Sequence, residues 1–359
     1  MEALILDTNF KAVDIIDTFD TFIWTDRYSE CGDFELYPPL DTNNLDSLRD
    51  DYYLINRESE HVMIIENIQI DSDSEEGPAL AISGRSLESI LDRRIIWTQT
   101  VLSGNLQDAI KKILDENVIS PTDTERQISN FVFESSTDEA ITSLELSDEI
   151  QFTGDNVYDV VKVLCEVYSI GFKITLSNDN KFVFKLYAGI DRSYDQNVNP
   201  YVVFSPKFDN LLSSRYLSSK QNLKTITLVA GEGEGSERKT VSVSVEGDVT
   251  YSGLSRRELY TDARDVSQTV DGGTLSDDEY TSQLKERGTT KLTEHVEIKT
   301  FEGKCDTTMM YKVGTDYLVG DIVQLEDEYG RTSKSRITEI VYSENSSGFE
   351  MYPTFTTIQ

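Results

Sequence analysis

Two stretches of this chain, far apart in sequence, carry the same order of β-rich runs. The first is Tyr52–Asn56, then Val62–Ile70, then Ala79–Ser83; the second is Asp321–Leu325, then Ser335–Tyr342, then Phe349–Tyr352. Each has its longest run in the middle, with polar, glycine-containing turns through Gly77-Pro78 in the first and through Gly330 and Gly348 in the second. Read as a duplication, the pattern predicts two similar small β-barrel-like domains in one subunit. Three copies of such a subunit close into a ring of six similar units. No residue-by-residue identity links the stretches, so coincidence of two common meanders is the competing reading.

The chain has 359 residues, more than one ordinary core needs, and two or three domains are expected. Acidic residues number 65 against 33 basic ones, a formal charge of -32. That excess repels phosphate backbones and argues against nucleic-acid binding. It suits a surface past which DNA slides without sticking, and it equally serves plain solubility. Cys31, Cys165 and Cys305 are an odd, widely spaced set and read as reduced core thiols. No basic-then-apolar leader opens the sequence, and no run approaches ~18 apolar residues, so neither a signal peptide nor a membrane span is expected.

Along the chain, residues 1–102 read as mostly β, with Leu4–Leu6, Phe22–Trp24 and Phe34–Tyr37 as further strands and Pro38-Pro39 ending one. Arg85–Arg94 predicts a short helix capped by Ser86, with Leu87, Ile90 and Leu91 inward and Glu88, Asp92 and Arg93 on its charged face. Residues 103–200 form an α+β module. Its helices are Leu106–Glu116 and Val157–Ile170, the second capped by Asp155 or Asn156 and stopped by Gly171. Its buried face takes Val157, Val160, Val161, Leu164 and either Val167 or Tyr168. A hairpin of Phe172–Leu176 and Phe182–Tyr187 follows. Residues 201–359 return to β, with strands Thr225–Ala230 and Lys239–Val245. A helix inserted near 276–294 opens on a Ser276/Glu279 capping box. The fold class is α+β, mainly β.

Chemical motifs are weak. Gly231-Glu232-Gly233-Glu234-Gly235 has the glycines of a phosphate loop, but an alternating run Thr240–Val245 replaces the helix, and the two glutamates repel an anion. Asp71–Gly77 has the oxygen density of a calcium loop, yet its glycine is one position late and Ile82 stands where a bidentate Glu belongs. An exposed hairpin turn is the better reading. His61 and His295 are the only histidines, in no catalytic motif, and no two cysteines are close. The 18 Tyr and 15 Phe fit half-buried strand positions better than a glycan-stacking surface. No catalytic, cofactor-binding or metal residue is singled out, and no enzyme activity is expected.

Taken in order, the motifs resemble the baseplate hub or tail-tip proteins of long-tailed, siphophage-type bacteriophages and prophages. They are Trp24–Tyr28 with Gly32–Leu36, Gly84–Leu87 with Leu91–Ile95, Gly189–Ser193, Phe208–Leu211, Gly231–Arg238, Arg256–Tyr260 and Gly320–Val323. The resemblance spans nearly the whole chain. It implies a homotrimeric hub whose paired barrels make a pseudo-sixfold ring beneath the sixfold tail tube and line the DNA channel. Implied partners are other copies of the chain, a distal tail or tail-tube ring protein, a tail fibre or tip protein and the tape-measure protein, with DNA passing unbound. The implied place is the virion tail tip, after assembly in the host cytoplasm. Many relatives carry a further cell-wall-cleaving or fibre domain after the second meander. This sequence stops at Pro353–Gln359, so hydrolysis is not carried over. A receptor- or glycan-binding tail module and a tail-associated hydrolase are the rival readings.

Overall fold

The computed structural model describes every residue except 74–76, 148, 234, 236, 237, 248, 271, 272, 306–309 and 359. The chain forms two compact units, Met1–Arg215 with Phe301–Gln359, and Tyr216–Thr300. It is mainly β with a few helices, in agreement with the α+β reading. Strands β1 (Ala3–Leu6), β2 (Ala12–Ile16), β3 (Thr21–Arg27) and β4 (Asp33–Tyr37) are followed by helix α1 (Thr42–Ser47) and by β5 (Tyr53–Asn56), β6 (Val62–Asp73) and β7 (Gly77–Ser86). Next come β8 (Thr100–Leu102), α2 (Leu106–Leu114), β9 (Phe131–Glu134), α3 (Glu139–Thr142), β10 (Ile150–Phe152), α4 (Val157–Val167), β11 (Gly171–Leu176), β12 (Phe182–Tyr187) and β13 (Val203–Phe204). Strand β14 (Leu211–Ser219) leads to β15 (Ile226–Ala230), β16 (Thr240–Ser244), β17 (Glu258–Asp262), β18 (Thr269–Val270), β19 (Gly273–Thr274) and α5 (Asp277–Thr293). Then β20 (Ile298–Cys305), β21 (Ile322–Glu326), β22 (Thr332–Asn345) and β23 (Gly348–Thr357) complete the order.

The first unit is organised by one large sheet in the order β13-β21-β22-β3-β4-β7-β6-β5-β1-β2, with β23 on the other side of β22. Both meanders seen in the sequence are therefore parts of one hydrogen-bonded surface. They join where β3 runs antiparallel to β22, from Arg27↔Glu339 to Thr21↔Asn345, and Arg27 adds an ion pair to Glu339 at 3.1 Å. Alternation does the rest: Phe22, Trp24, Phe34 and Leu36 point inward from β3 and β4 and are almost wholly buried.

Helices α2 and α4 and the β11–β12 hairpin pack into a second part of the same unit's core. Asn105 caps α2, and Asn156, not Asp155, caps α4. Val157, Val160, Val161, Leu164 and Cys165 form the buried stripe of α4; Val167 is exposed, and Tyr168 packs against the core in its place. Three expectations need correcting. Leu87–Arg93 is a 3₁₀-helix, not an α-helix, and its Ser86 makes no side-chain cap bond. Helix α2 gives way after Leu114 to a π-turn closed by the Ser120 amide on the Asp115 carbonyl. Gly171 does not stop α4; Ser169 does, with φ 55. Gly171 is required for a different reason, because a Cβ there would lie 2.5 Å from the Tyr28 ring.

The second unit is a three-stranded sheet, β16-β15-β17, with α5 against it. Ser276 and Glu279 form the expected capping box, their side chains each accepting the other's amide. Tyr280, Leu284, Gly288 and Leu292 recur every four residues and are the buried face of α5. At Gly288 a Cβ would lie 2.6 Å from Val229 and 2.8 Å from Val243, so this glycine sets how closely the helix approaches the sheet. All three cysteines are free thiols, Cys165 and Cys305 buried and Cys31 partly so.

Candidate functional site

The two meanders correspond in backbone register, a relation invisible in their side chains. In β6 the ladder to β7 is interrupted between Ile65 and Asn67; in β22 the ladder to β23 is interrupted between Ile337 and Glu339. Glu66 and Thr338 are thus the extra residues of two β-bulges. From each bulge to the hairpin tip run seven ladder pairs, Asn67↔Ser83 to Asp73↔Gly77 in one and Glu339↔Thr354 to Asn345↔Gly348 in the other. Both tips return on a glycine with positive φ, 85° at Gly77 and 119° at Gly348.

The correspondence extends to the strands on either side. Ile65 donates to the Tyr52 carbonyl and accepts from the Asp51 amide, both at 2.9 Å; Ile337 donates to Asp321 at 2.9 Å and accepts from Gly320 at 2.7 Å. Asp51 and Gly320 occupy the same place, and both are left-handed, with φ 62 and 97. Past the bulge on the inner side, Ser86 faces Met63 and Thr357 faces Ser335. The Ser86 hydroxyl accepts the Gly32 amide at 2.7 Å, and the Thr357 hydroxyl accepts the Phe301 amide at 3.1 Å. Gly32 leads β4, which pairs with β3; Phe301 lies in β20, which pairs with β14. Strands β14 and β20 are accordingly the counterparts of β3 and β4. The short link Tyr28–Gly32 of one repeat is replaced in the other by the second compact unit, Tyr216–Thr300.

Beside the β3–β22 junction lies a cleft of about 450 Å³ whose wall includes Asp26, Ser59, His61, Lys173, Tyr187 and Tyr342. Asp26 and His61 of that wall form a buried charge cluster with Glu88. Asp26, His61 and Glu88 are 5%, 4% and 0% exposed. Asp26 accepts from Trp24 Nε1 at 2.9 Å and from the Ser59 hydroxyl at 2.7 Å, and Ser59 in turn accepts the His61 amide at 3.0 Å. His61 Nδ1 lies 3.3 Å from Glu88 Oε1, an ion pair without hydrogen-bond alignment, while Glu88 Oε1 also accepts the Ile174 amide at 2.7 Å. Burial pushes the His61 imidazolium down, but Asp26 and Glu88 outweigh it and raise its pKa from 6.5 to about 9. Burial pushes Glu88 up, yet His61, the Ser86 hydroxyl and the Ile174 amide leave it below its ordinary value. Asp26 is raised, chiefly by burial, against the opposing pull of His61, Ser59 and Trp24.

This is a charged core and not a nucleophilic triad. The Ser59 hydroxyl donates to Asp26 and not to a histidine nitrogen, so the serine–histidine contact of such a triad does not form. His295, the other histidine, accepts at its carbonyl from the Lys224 amide and belongs to the second unit. Sequence reasoning placed Glu88 on a charged outer face and missed its role. The reason is that Leu87 to Leu91 are all buried, so this turn has no solvent face for Glu88 to take.

The glycine loop is likewise structural where it is described. A Cβ on Gly231 would lie 2.3 Å from Tyr280 Oη, which accepts the Glu232 amide at 2.7 Å, and Arg238 Nε holds the Gly231 carbonyl at 2.6 Å. Residues 234, 236 and 237 of this loop, and 74–76 of the acidic turn once compared with a calcium loop, lie outside the described residues. Among the described residues no cluster of three metal-ligating side chains occurs, and no helix is long and apolar enough to cross a membrane.

Residues 2–355 match the family model of siphovirus ReqiPepy6 Gp37-like proteins. No curated protein matches the chain. Among solved structures, the 43 kDa tail protein of prophage MuSo2 from Shewanella oneidensis has a TM-score of 0.57 at 13% identity, covering 99% of this chain and 98% of that one. A tail protein from Neisseria meningitidis gives 0.55 at 12% identity over 99% and 96% of the two chains. The prophage tail protein gp18 from Listeria monocytogenes gives 0.53 at 15% identity over 100% and 95%. At these identities the likeness is one of fold.

Proposed function

The chain belongs to the siphovirus ReqiPepy6 Gp37-like family of tail proteins, and from that premise we propose that it is a non-enzymatic, homotrimeric hub of the tail tip. The observation that carries this reading is the register match between the β6–β7 and β22–β23 hairpins. A subunit holding two copies of one structural unit presents six of them when three subunits close a ring, and so meets a sixfold tube on one side and a threefold tip on the other. In this reading the segments 1–102 and 201–359 supply the two ring domains, and 103–200 faces neighbouring tail proteins. Those neighbours are a tail-tube ring protein, a tape-measure protein, and a fibre or tip protein. DNA passes through the ring without specific binding, which the net charge of -32 favours.

Native mass measurement of the purified chain is the direct test. The expected species has three copies, and in its structure the regions around Ile64 and Ile337 superpose by a rotation near 60° about the ring axis, as any sixfold ring requires. A protein that stays monomeric at high concentration and never enters a tail particle refutes the hub.

A further inference from the structure

The internal repeat identifies one sheet edge that a single chain leaves open. In β22 the arm beyond the bulge, Glu339–Asn345, has β23 on one side and β3 on the other. In β6 the matching arm, Asn67–Asp73, has β7 on one side. On its other side β5 reaches only Val62–Ile64, and among the described residues no strand continues along Asn67–Asp73. An uncovered strand edge of this length is a template for pairing with another chain.

The repeat also says what covers it. The strand that occupies this position in the other repeat is β3, whose counterpart is β14. We infer that the open edge of β6, Asn67–Asp73, is an intersubunit site that takes strand β14, Leu211–Ser219, of a second copy of this chain in antiparallel pairing. Resting on the ring reading above, this contact would alternate around the ring with the β3–β22 junction inside each chain, one made within a subunit and the next between subunits. The contact is heterologous, since β6 and β14 are different surfaces, and such contacts generate closed rings when the rotation fits.

Side chains and charge agree with that occupant. Ile70 on β6 is 52% exposed, and Leu212 and Leu217 on β14 are 60% and 41% exposed, so both strands offer apolar side chains to a partner. The β6 arm carries Asp71 and no basic residue, whereas β14 carries Arg215 and no acidic residue. Opposite charges across paired strands favour this pairing over β6 with β6.

Proline substitution tests the edge. Neighbouring residues in a strand aim their amides to opposite sides, so of Gln69→Pro and Ile70→Pro one removes an amide facing the open edge and the other breaks the β6–β7 ladder. Native mass and Trp24 fluorescence are read on both, beside the wild type. The expected result is a trimeric wild type and one variant with native Trp24 emission that runs as a monomer, its association weakened at least tenfold. A trimeric wild type whose folded proline variants are equally trimeric overturns the edge assignment while leaving the ring intact. A monomeric wild type overturns the ring and this contact with it. Should neither variant fold, amide exchange on the wild-type trimer decides: uniformly slow exchange along Asn67–Asp73 supports the pairing, and fast exchange at alternate amides refutes it.

Discussion

Replacing His61 by Gln removes the one cation between two buried carboxylates and tests the charged core directly. With its pKa raised from 6.5 to about 9, the imidazolium is bound more tightly in the folded chain than in the unfolded one. For a raised pKa the stabilisation is fully present below pH 6.5 and is lost as pH climbs through about 9. At about 1.4 kcal/mol per unit, that interval corresponds to about 3 kcal/mol. Asp26, also raised, acts in the same direction as pH rises; Glu88, lowered, contributes stability that is lost on acidification. At pH 6, His61→Gln therefore costs about 3 to 5 kcal/mol, the range for breaking a buried pair by removing one partner. By pH 10 the difference between wild type and variant shrinks by about 3 kcal/mol. Trp24 is the natural reporter: its indole donates to Asp26 and is wholly buried, while the only other tryptophan, Trp97, is 64% exposed. Urea unfolding followed by this emission at both pH values measures the difference, with the ionisation of groups remote from His61 cancelled between the two proteins and Asp26 and Glu88, which His61 holds down, included in it. A wild-type-to-variant gap that is the same at pH 6 and pH 10 would refute the assignment of a buried imidazolium.

Three further outcomes are expected. Gly320→Ala combines φ 97 with a Cβ 2.4 Å from the Tyr28 ring, and should lower the stability of the first unit by about 2 kcal/mol or more, read by the same Trp24 emission; a loss below about 0.5 kcal/mol would show that the strand entry is not constrained. Gly288→Val forces α5 off β15 and β16, so limited proteolysis should cut faster within Tyr216–Thr300 while Trp24 emission is unchanged; equal cutting rates would contradict the packing. Duplex DNA should not be retarded by the chain in low-salt electrophoresis, and retention that weakens with salt would contradict the proposed non-adhesive channel.

What could be read from the sequence was what depends on local rules. The Ser276/Glu279 box, the extent of α2, the cap and apolar stripe of α4, and the β11–β12 hairpin follow from residue type and spacing, and each forms within a few positions of its expected ends. The order of the two meanders was also legible, but not their union into one sheet, because β3 and β22 pair across more than 300 residues with no local signal. Asp26, Ser59, His61 and Glu88 come from three separate segments, so no spacing rule connects them. Glu88 was hidden further because all of Leu87 to Leu91 are buried, so the polar face that amphipathic spacing predicts for this turn does not exist there. The glycines were ambiguous for a related reason. Gly231 looks like a phosphate-loop residue until Tyr280, 49 positions on, is seen to occupy the space a Cβ would need.

The missing identity between the repeats has a physical origin in what each preserves. A β-bulge and a left-handed strand entry are backbone features, satisfied by Glu66 or Thr338 and by Asp51 or Gly320 with little regard for side chain. Side chains at matching places answer to different neighbours. Glu66 receives Arg85 in a two-pronged ion pair at 2.7 and 3.0 Å, while Thr338 accepts the Tyr28 amide at its carbonyl, at the junction with β3. Asp51 is met by Arg93 at 3.0 Å, whereas Gly320 is pressed against Tyr28, leaving no room for a side chain. Side chains can differ in this way while the hydrogen-bond register is the same, because moving a strand by one residue would turn every buried side chain of the hairpin to the wrong face. The register is therefore what the two hairpins share, and the β14–β20 link, where an entire unit sits in place of five residues, is where the two halves differ most.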